Sequence, residues 1–163
     1  MESILPGDAS GGPHRGRLSR AVKESLRELG AQLSLLNHSV GTRLDLKATD
    51  LECLDLISRY GPLSPSALAR RAGLHPATMT GILDRLERGG WIARERDPAD
   101  RRGVVVRLVR GRGAVVLRLY SGMNETMDRI CAGYEEGELE LLIGFMRRTA
   151  EAGRTAAEEL AGS

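Results

Sequence analysis

The sequence predicts a mainly α-helical fold with a small β-hairpin: a winged helix-turn-helix carrying further helices at both ends. Three observations lead there. Two short helical patterns meet at a glycine turn near Gly73, a basic pair of strand-like runs follows, and long apolar stripes flank both.

The first short helix starts at Ser64, a good N-cap, with Pro65 in the first helical position, where a missing N–H costs nothing. Ala67, Leu68 and Ala72 give it an apolar face, and Gly73 supplies the left-handed residue that helix ends often use. After Leu74 and His75, Pro76 opens a second helix to about Arg88. Its residues Met79, Ile82, Leu83 and Leu86 recur at the three- and four-residue spacing of a buried stripe, and Gly89-Gly90 stops it. Ala69 is small where the second helix crosses. On the opposite face lie Ala77, Thr78, Thr80, Gly81 and Arg85, small or polar groups able to approach base edges in a major groove.

Trp91–Arg96 then reads as one strand and Val104–Leu108 as its partner. Asp97-Pro98-Ala99-Asp100-Arg101-Arg102-Gly103 between them is too rich in turn formers and charge to be buried. Charge follows the same map. Residues 1–60 balance, with eight basic and eight acidic side chains; residues 61–112 carry eleven Arg against five acids, net +6; residues 113–163 carry five Arg against nine acids, net −4. Positive charge thus gathers where phosphate neutralisation would use it.

In chain order, residues 1–16 hold Gly7, Gly11, Gly12, Pro6 and Pro13 with little periodicity and read as a mobile tail. Leu18, Val22, Leu26, Leu29, Leu33 and Leu36 mark an amphipathic helix to about Asn37, followed by a connector from His38 to Lys47 broken at Gly41. A helix from Thr49 to Tyr60 is expected to be capped by Thr49 with Glu52 completing a capping box, and to bury Leu51, Leu54, Ile57 and Tyr60. Beyond the hairpin, one helix from about Gly113 to Cys131 carries Val116, Leu119, Tyr120, Met123, Met127 and Ile130. A last helix, Glu136 to Leu160, buries Leu139, Leu142, Ile143 and Met146.

Other chemistries find little support. No nucleophile elbow, phosphate loop or dinucleotide fingerprint is present, and His14, His38 and His75 have no ligand-like spacing with Cys53 or Cys131. No enzyme, metal site or cofactor is therefore expected. The cysteines read as small buried hydrophobes, with thiol sensing the lesser alternative. Aromatic content of 3% argues against an aromatic-lined single-strand binder. No apolar run approaches the ~18 residues of a membrane span. The first residues lack the apolar core of a secretory signal, so a cytoplasmic protein is expected, nucleoid-associated when bound to DNA.

The run Thr78-Met79-Thr80 through Asp84-Arg85-Leu86-Glu87 and the segment DPADRRGVVVRL resemble the MarR family of bacterial transcriptional regulators. The resemblance implies a sequence-specific, repressing regulator of double-stranded DNA, a homodimer on a pseudo-palindromic operator. It divides the chain into the tail (1–16), an N-terminal dimerisation helix and connector (17–47), the winged helix-turn-helix (48–112) and C-terminal dimerisation helices (113–163). It assigns Asp100 to orient Arg102 into the minor groove, with Arg101 as a phosphate or second groove contact. Ser64, His75, Pro76 and Arg94 complete the expected DNA-facing set. His75 stands where relatives commonly place a capping Ser, so a cap, a phosphate contact and a plain turn residue are all open for it. The resemblance also implies room for a small aromatic or phenolic effector, with Asn37, His38, Arg43 and Tyr60 as polar candidates. Two other readings remain: a nonspecific architectural DNA-binder, favoured by the missing side chain at Gly81, and a winged-helix module that binds a protein partner.

Overall fold

The computed structural model describes residues 11–100 and 102–161. The chain divides into two units, residues 1–45 and 46–163. Among the described residues the first holds one helix, α1 (Gly11–Leu44), 34 residues long. At 1.5 Å per residue it extends about 51 Å. The tail expected over residues 1–16 lies outside the described residues as far as residue 10; residues 11–16 are already helical. The connector expected from His38 is helical too. A lone glycine such as Gly41 costs about 1 kcal/mol in a helix without stopping it. Ser39 and Thr42 donate their hydroxyls to Leu35 O and His38 O within the same helix, at 3.0 Å each. The stop comes at Asp45, whose φ of 55° is one that Asp tolerates better than most residues.

The second unit begins with α2 (Ala48–Tyr60). Its cap is Lys47, two residues before the expected Thr49, and the side chain that reaches back belongs to Asp50, not Glu52. Lys47 N–H donates to Asp50 Oδ2 at 3.2 Å, the half of a capping box that a carboxylate at this position can supply. Leu51, Cys53, Leu54 and Ile57 are buried. Tyr60 is not part of that core: it sits at the helix end, half exposed, where the Arg71 guanidinium lies 4.2 Å from its ring centroid.

Helices α3 (Pro65–Ala72) and α4 (Pro76–Arg88) follow as the sequence predicts. Ser64 Oγ accepts Ala67 N–H at 3.2 Å, and Gly73 turns with φ 63°. The N–H of Leu74 returns to Ala69 O at 2.9 Å, closing the helix end. Met79, Ile82, Leu83 and Leu86 are all buried, with Leu68 and Ala69 of α3. Gly90, at φ 68°, ends the run, and Trp91 N–H reaches Leu86 O at 2.9 Å.

Strands β1 (Ile92–Arg96) and β2 (Val104–Leu108) pair antiparallel, with Arg94 opposite Val106. Leu63, ahead of α3, exchanges both backbone bonds with Val106, at 3.1 and 2.7 Å. The hairpin is thereby tied to the start of the helix-turn-helix. Trp91 precedes the strand, yet is buried at its root. Arg112 stacks on its indole, 4.8 Å from the ring centroid, and donates Nε–H to Gly90 O at 3.0 Å.

The single helix expected after the hairpin is two, α5 (Arg112–Leu119) and α6 (Ser121–Cys131). Tyr120, with ψ of −2°, interrupts the spiral. Ser121 stabilises the break by donating its hydroxyl to Arg118 O at 2.9 Å. The last helix, α7 (Glu136–Ala161), keeps the expected span. No described helix is long and apolar enough to cross a membrane.

Candidate nucleic-acid interface

The exposed surface of α4 begins with its first turn and a half and goes on through Asp84, Glu87 and Arg88. Pro76, Ala77, Thr78 and Thr80 are exposed, and Gly81 is partly so, while the intervening Met79 points into the core. Thr80 Oγ donates to Pro76 O at 3.0 Å, so this hydroxyl is already engaged with its own helix. A Cβ added at Gly81 would meet only Arg85 Nη1, at 3.9 Å. Packing within the chain therefore does not demand glycine there.

His75 is the cap of α4. Its Nδ1 accepts the backbone N–H of Ala77 at 3.2 Å. With Nδ1 as acceptor the neutral ring carries its proton on Nε2, which leaves an exposed donor at the helix start. One histidine thus combines the cap with a donor suited to phosphate. Ser64 is likewise spent on capping α3; its Oγ also lies 3.2 Å from Ser66 Oγ.

Two arginines expected to face DNA are held by acids of the same chain. Arg85 Nη2 sits 2.7 Å from Asp50 Oδ1 and donates Nη1–H to Gly81 O at 3.3 Å. Arg94 bridges Asp84 at 2.7 Å and Glu87 at 2.5 Å, fastening β1 to the outer face of α4. In this structure both guanidiniums brace the lobe. Asp50 is buried, whereas Asp84 and Glu87 are exposed, so Arg85 is held in the lobe and Arg94 on its surface, each by charge-assisted hydrogen bonds. Arg88, in the last turn of α4, and Arg96, at the wing end of β1, are exposed arginines beside the same surface that the sequence reading passed over.

The wing loop is built by its acids. Asp97 N–H donates to Gly103 O at 3.0 Å, and Asp97 Oδ1 accepts Ala99 N–H at 2.8 Å. Asp100 Oδ1 accepts the backbone N–H of Arg102 at 3.0 Å, and Gly103 N–H closes on Asp100 O at 2.8 Å. Asp100 thus orients Arg102 through the main chain, and the guanidinium stands exposed at the tip. Arg101 lies outside the described residues.

Asn37, His38 and Arg43 lie on α1 in the first unit, on continuous helix where a connector was expected, and Tyr60 ends α2 in the second. Among the described residues no group of three or more His, Cys, Asp or Glu side chains could hold a metal ion.

Cys53 is fully buried on α2. Burial pushes its thiol up to about 11, and the charges of Asp50 and Glu52 push the same way. At pH 8 its thiolate fraction is then about one in a thousand, which makes it a poor nucleophile. Alkylation of the native protein at pH 8 is expected to label the half-buried Cys131 and to spare Cys53 until denaturant is added. Native labelling of Cys53 at the rate of a free thiol would remove it from the core.

Comparison with known proteins agrees with this architecture. The MarR family model matches residues 46–104, from the start of the second unit through the wing loop. The HTH-type transcriptional regulator YcgE of Bacillus subtilis is 32% identical over 137 residues, which span 84% of this chain and 89% of that one. The HTH-type transcriptional repressor YetL of the same organism is 28% identical over 84 residues, 52% of this chain and 50% of that one. The multiple antibiotic resistance protein MarR of Escherichia coli is 33% identical over 72 residues, 44% and 50% of the two chains. Among solved structures, a MarR family protein from Bacillus stearothermophilus superposes with a TM-score of 0.66 at 19% identity, covering 85% of this chain and 97% of that one. A MepR mutant from a multidrug resistant S. aureus isolate gives 0.69 at 16% identity, covering 80% and 96%. With helix-turn-helix, wing and flanking helices in this order, and a relative of this similarity along nearly its whole length, the chain belongs to the MarR family and is a winged helix-turn-helix, DNA-binding transcriptional regulator.

Proposed function

We propose that this regulator is a homodimeric repressor that binds a pseudo-palindromic operator in double-stranded DNA and is released by a small aromatic or phenolic effector. The observation that carries the operator reading is the coincidence of two surfaces. The exposed, small-residue first turns of α4 and the wing tip with Arg102 belong to the segment whose net charge is +6. A small-faced helix fits a major groove, and an exposed arginine at a hairpin tip fits the minor groove beside it.

Pairing is supported by what the single chain leaves open. Leu18, Val22, Leu29 and Leu33 of α1 are exposed, as are Ile143 and Met146 of α7, at the spacings of helical stripes. Two copies that cover these faces by two-fold symmetry would set their reading helices about one DNA turn, roughly 34–36 Å, apart. Repression accords with the role named for YetL. The effector would act through differential affinity, releasing DNA only if it favours the form that cannot bind. Asn37, His38, Arg43 and Tyr60 are the residues to substitute in looking for it.

Footprinting on DNA upstream of the gene, with random DNA as competitor and salt varied, tests the reading. A protected palindrome with half-sites one turn apart supports it. Unpatterned protection that competitor removes equally well would establish the architectural role instead, and no binding at low salt would favour a protein partner. Within that assay Arg102→Ala should cost roughly tenfold or more in operator affinity and lower the salt slope by about one, with the dimer intact. Unchanged affinity at physiological salt would take Arg102 out of the interface.

A further inference from the structure

Asp50 is the buried charged side chain among the described residues, 2% exposed, and no part of the DNA reading uses it. Its two oxygens face two elements. Oδ2 accepts Lys47 N–H at the start of α2, and Oδ1 meets Arg85 Nη2 of α4 at 2.7 Å. Arg85 passes the connection on, since its Nη1–H goes to the carbonyl of Gly81 in the exposed turn of its own helix. A continuous chain of polar contacts thus runs from the residue that caps the supporting helix to the turn that would face bases.

We propose that Asp50 is a positioning residue for DNA recognition: through Arg85 it fixes the rotation of α4, and with it the turn at Gly81, against α2. This rests on the operator-binding reading above. The apolar stripe of Met79, Ile82, Leu83 and Leu86 holds α4 on the core, but apolar contact is non-directional and tolerates small rotations. A carboxylate–guanidinium contact has defined geometry and does not. Stability alone explains the pair poorly. Arg85 Nε is buried without a hydrogen-bond partner, Asp50 gives up its hydration while the rest of the Arg85 side chain stays partly exposed, and an ion pair that costs such desolvation commonly adds little over apolar residues of the same size. Asp50→Asn would still offer an oxygen to Lys47 N–H, so the substitution addresses the contact to Arg85.

The test uses the full-length protein, with a preferred site selected from random DNA by the wild type. For Asp50→Asn and for the double variant Asp50→Leu/Arg85→Met, affinities for that site and for random DNA are measured against salt, alongside dimer mass and thermal unfolding. The double variant removes both charges at once and remains informative where the single variant folds poorly. Both variants are expected to lose on the order of tenfold in preference for the selected site, the scale of one mismatched base pair. Affinity for random DNA and the salt slope should stay as in the wild type.

A folded dimer of either variant that keeps the wild-type preference overturns the proposal. So does tighter binding by Asp50→Asn with a steeper salt slope, which would make Arg85 a phosphate contact that Asp50 holds back. A wild type that selects no site at all would instead refute the operator reading, and the positioning role with it.

Discussion

Leu142→Asp should halve the mass measured by light scattering and lower operator affinity by at least about a hundredfold. The first effect follows from where Leu142 lies. It shares one side of α7 with Leu139, Ile143 and Met146, and the last two are about half exposed in the single chain. A stripe of that kind is stable in water only when covered, and a carboxylate placed in the covered seam loses hydration without gaining a partner. The second effect follows from linkage of two half-sites. Each winged lobe keeps its own phosphate contacts, but joint binding gains a factor of roughly 10² to 10⁴ that separate lobes forfeit. The lobe itself should stay folded, because its core comes from Leu68, Met79, Leu83, Leu86 and Val106, none of them on α7. A soluble variant with wild-type mass and wild-type affinity would mean that pairing uses another face.

The helix-turn-helix was legible because each of its boundaries has a local chemical cause. Ser64, Pro65, Gly73, Pro76 and Gly90 all act where the sequence places them, and the stripe from Met79 to Leu86 is buried as its spacing requires. The hairpin was legible for the same reason, as turn-forming Asp97, Asp100 and Gly103 separate two β-prone runs. Misreadings arose where periodicity is silent. Gly41 resembles a breaker but sits in a helix long enough to absorb it, and the apolar stripe of Val116 to Ile130 runs across the break at Tyr120 without a change of phase. Leu63 pairs with Val106 through a single residue, too short for any alternation to show.

For the interface, sequence located the surface but did not sort its arginines. Arg85 and Arg94 look as free as Arg102 in one dimension. Their partners lie 35 and up to 10 residues away, and only the folded backbone brings Asp50, Asp84 and Glu87 to them. Charge count predicted a basic face. Which charges remain available to a phosphate depends on neutralisation within the fold, and that is a tertiary property.

Leu86→Ala, by contrast, should act on stability. Leu86 is fully buried near the end of α4, and its carbonyl receives Trp91 N–H as the chain turns into β1. Removing three carbons there leaves a cavity bounded by helix and strand, and such losses cost about 2–5 kcal/mol. Against a total of roughly 5–15 kcal/mol that is a large share, and the unfolding midpoint should fall by about 4–20 °C. The molecules still folded at 25 °C keep their exposed turn and wing, so the operator's preference over random DNA should survive. Operator DNA at a hundred times its dissociation constant should restore about 2.7 kcal/mol by mass action, visible as a rise in the midpoint. Calorimetry with and without operator separates the two substitutions: a core cavity lowers stability and spares discrimination, whereas loss of Asp50 lowers discrimination even in molecules that remain folded. If Leu86→Ala abolished preference at a temperature where the protein is folded, the apolar stripe would share in aiming α4, and the contact between Asp50 and Arg85 would not suffice on its own.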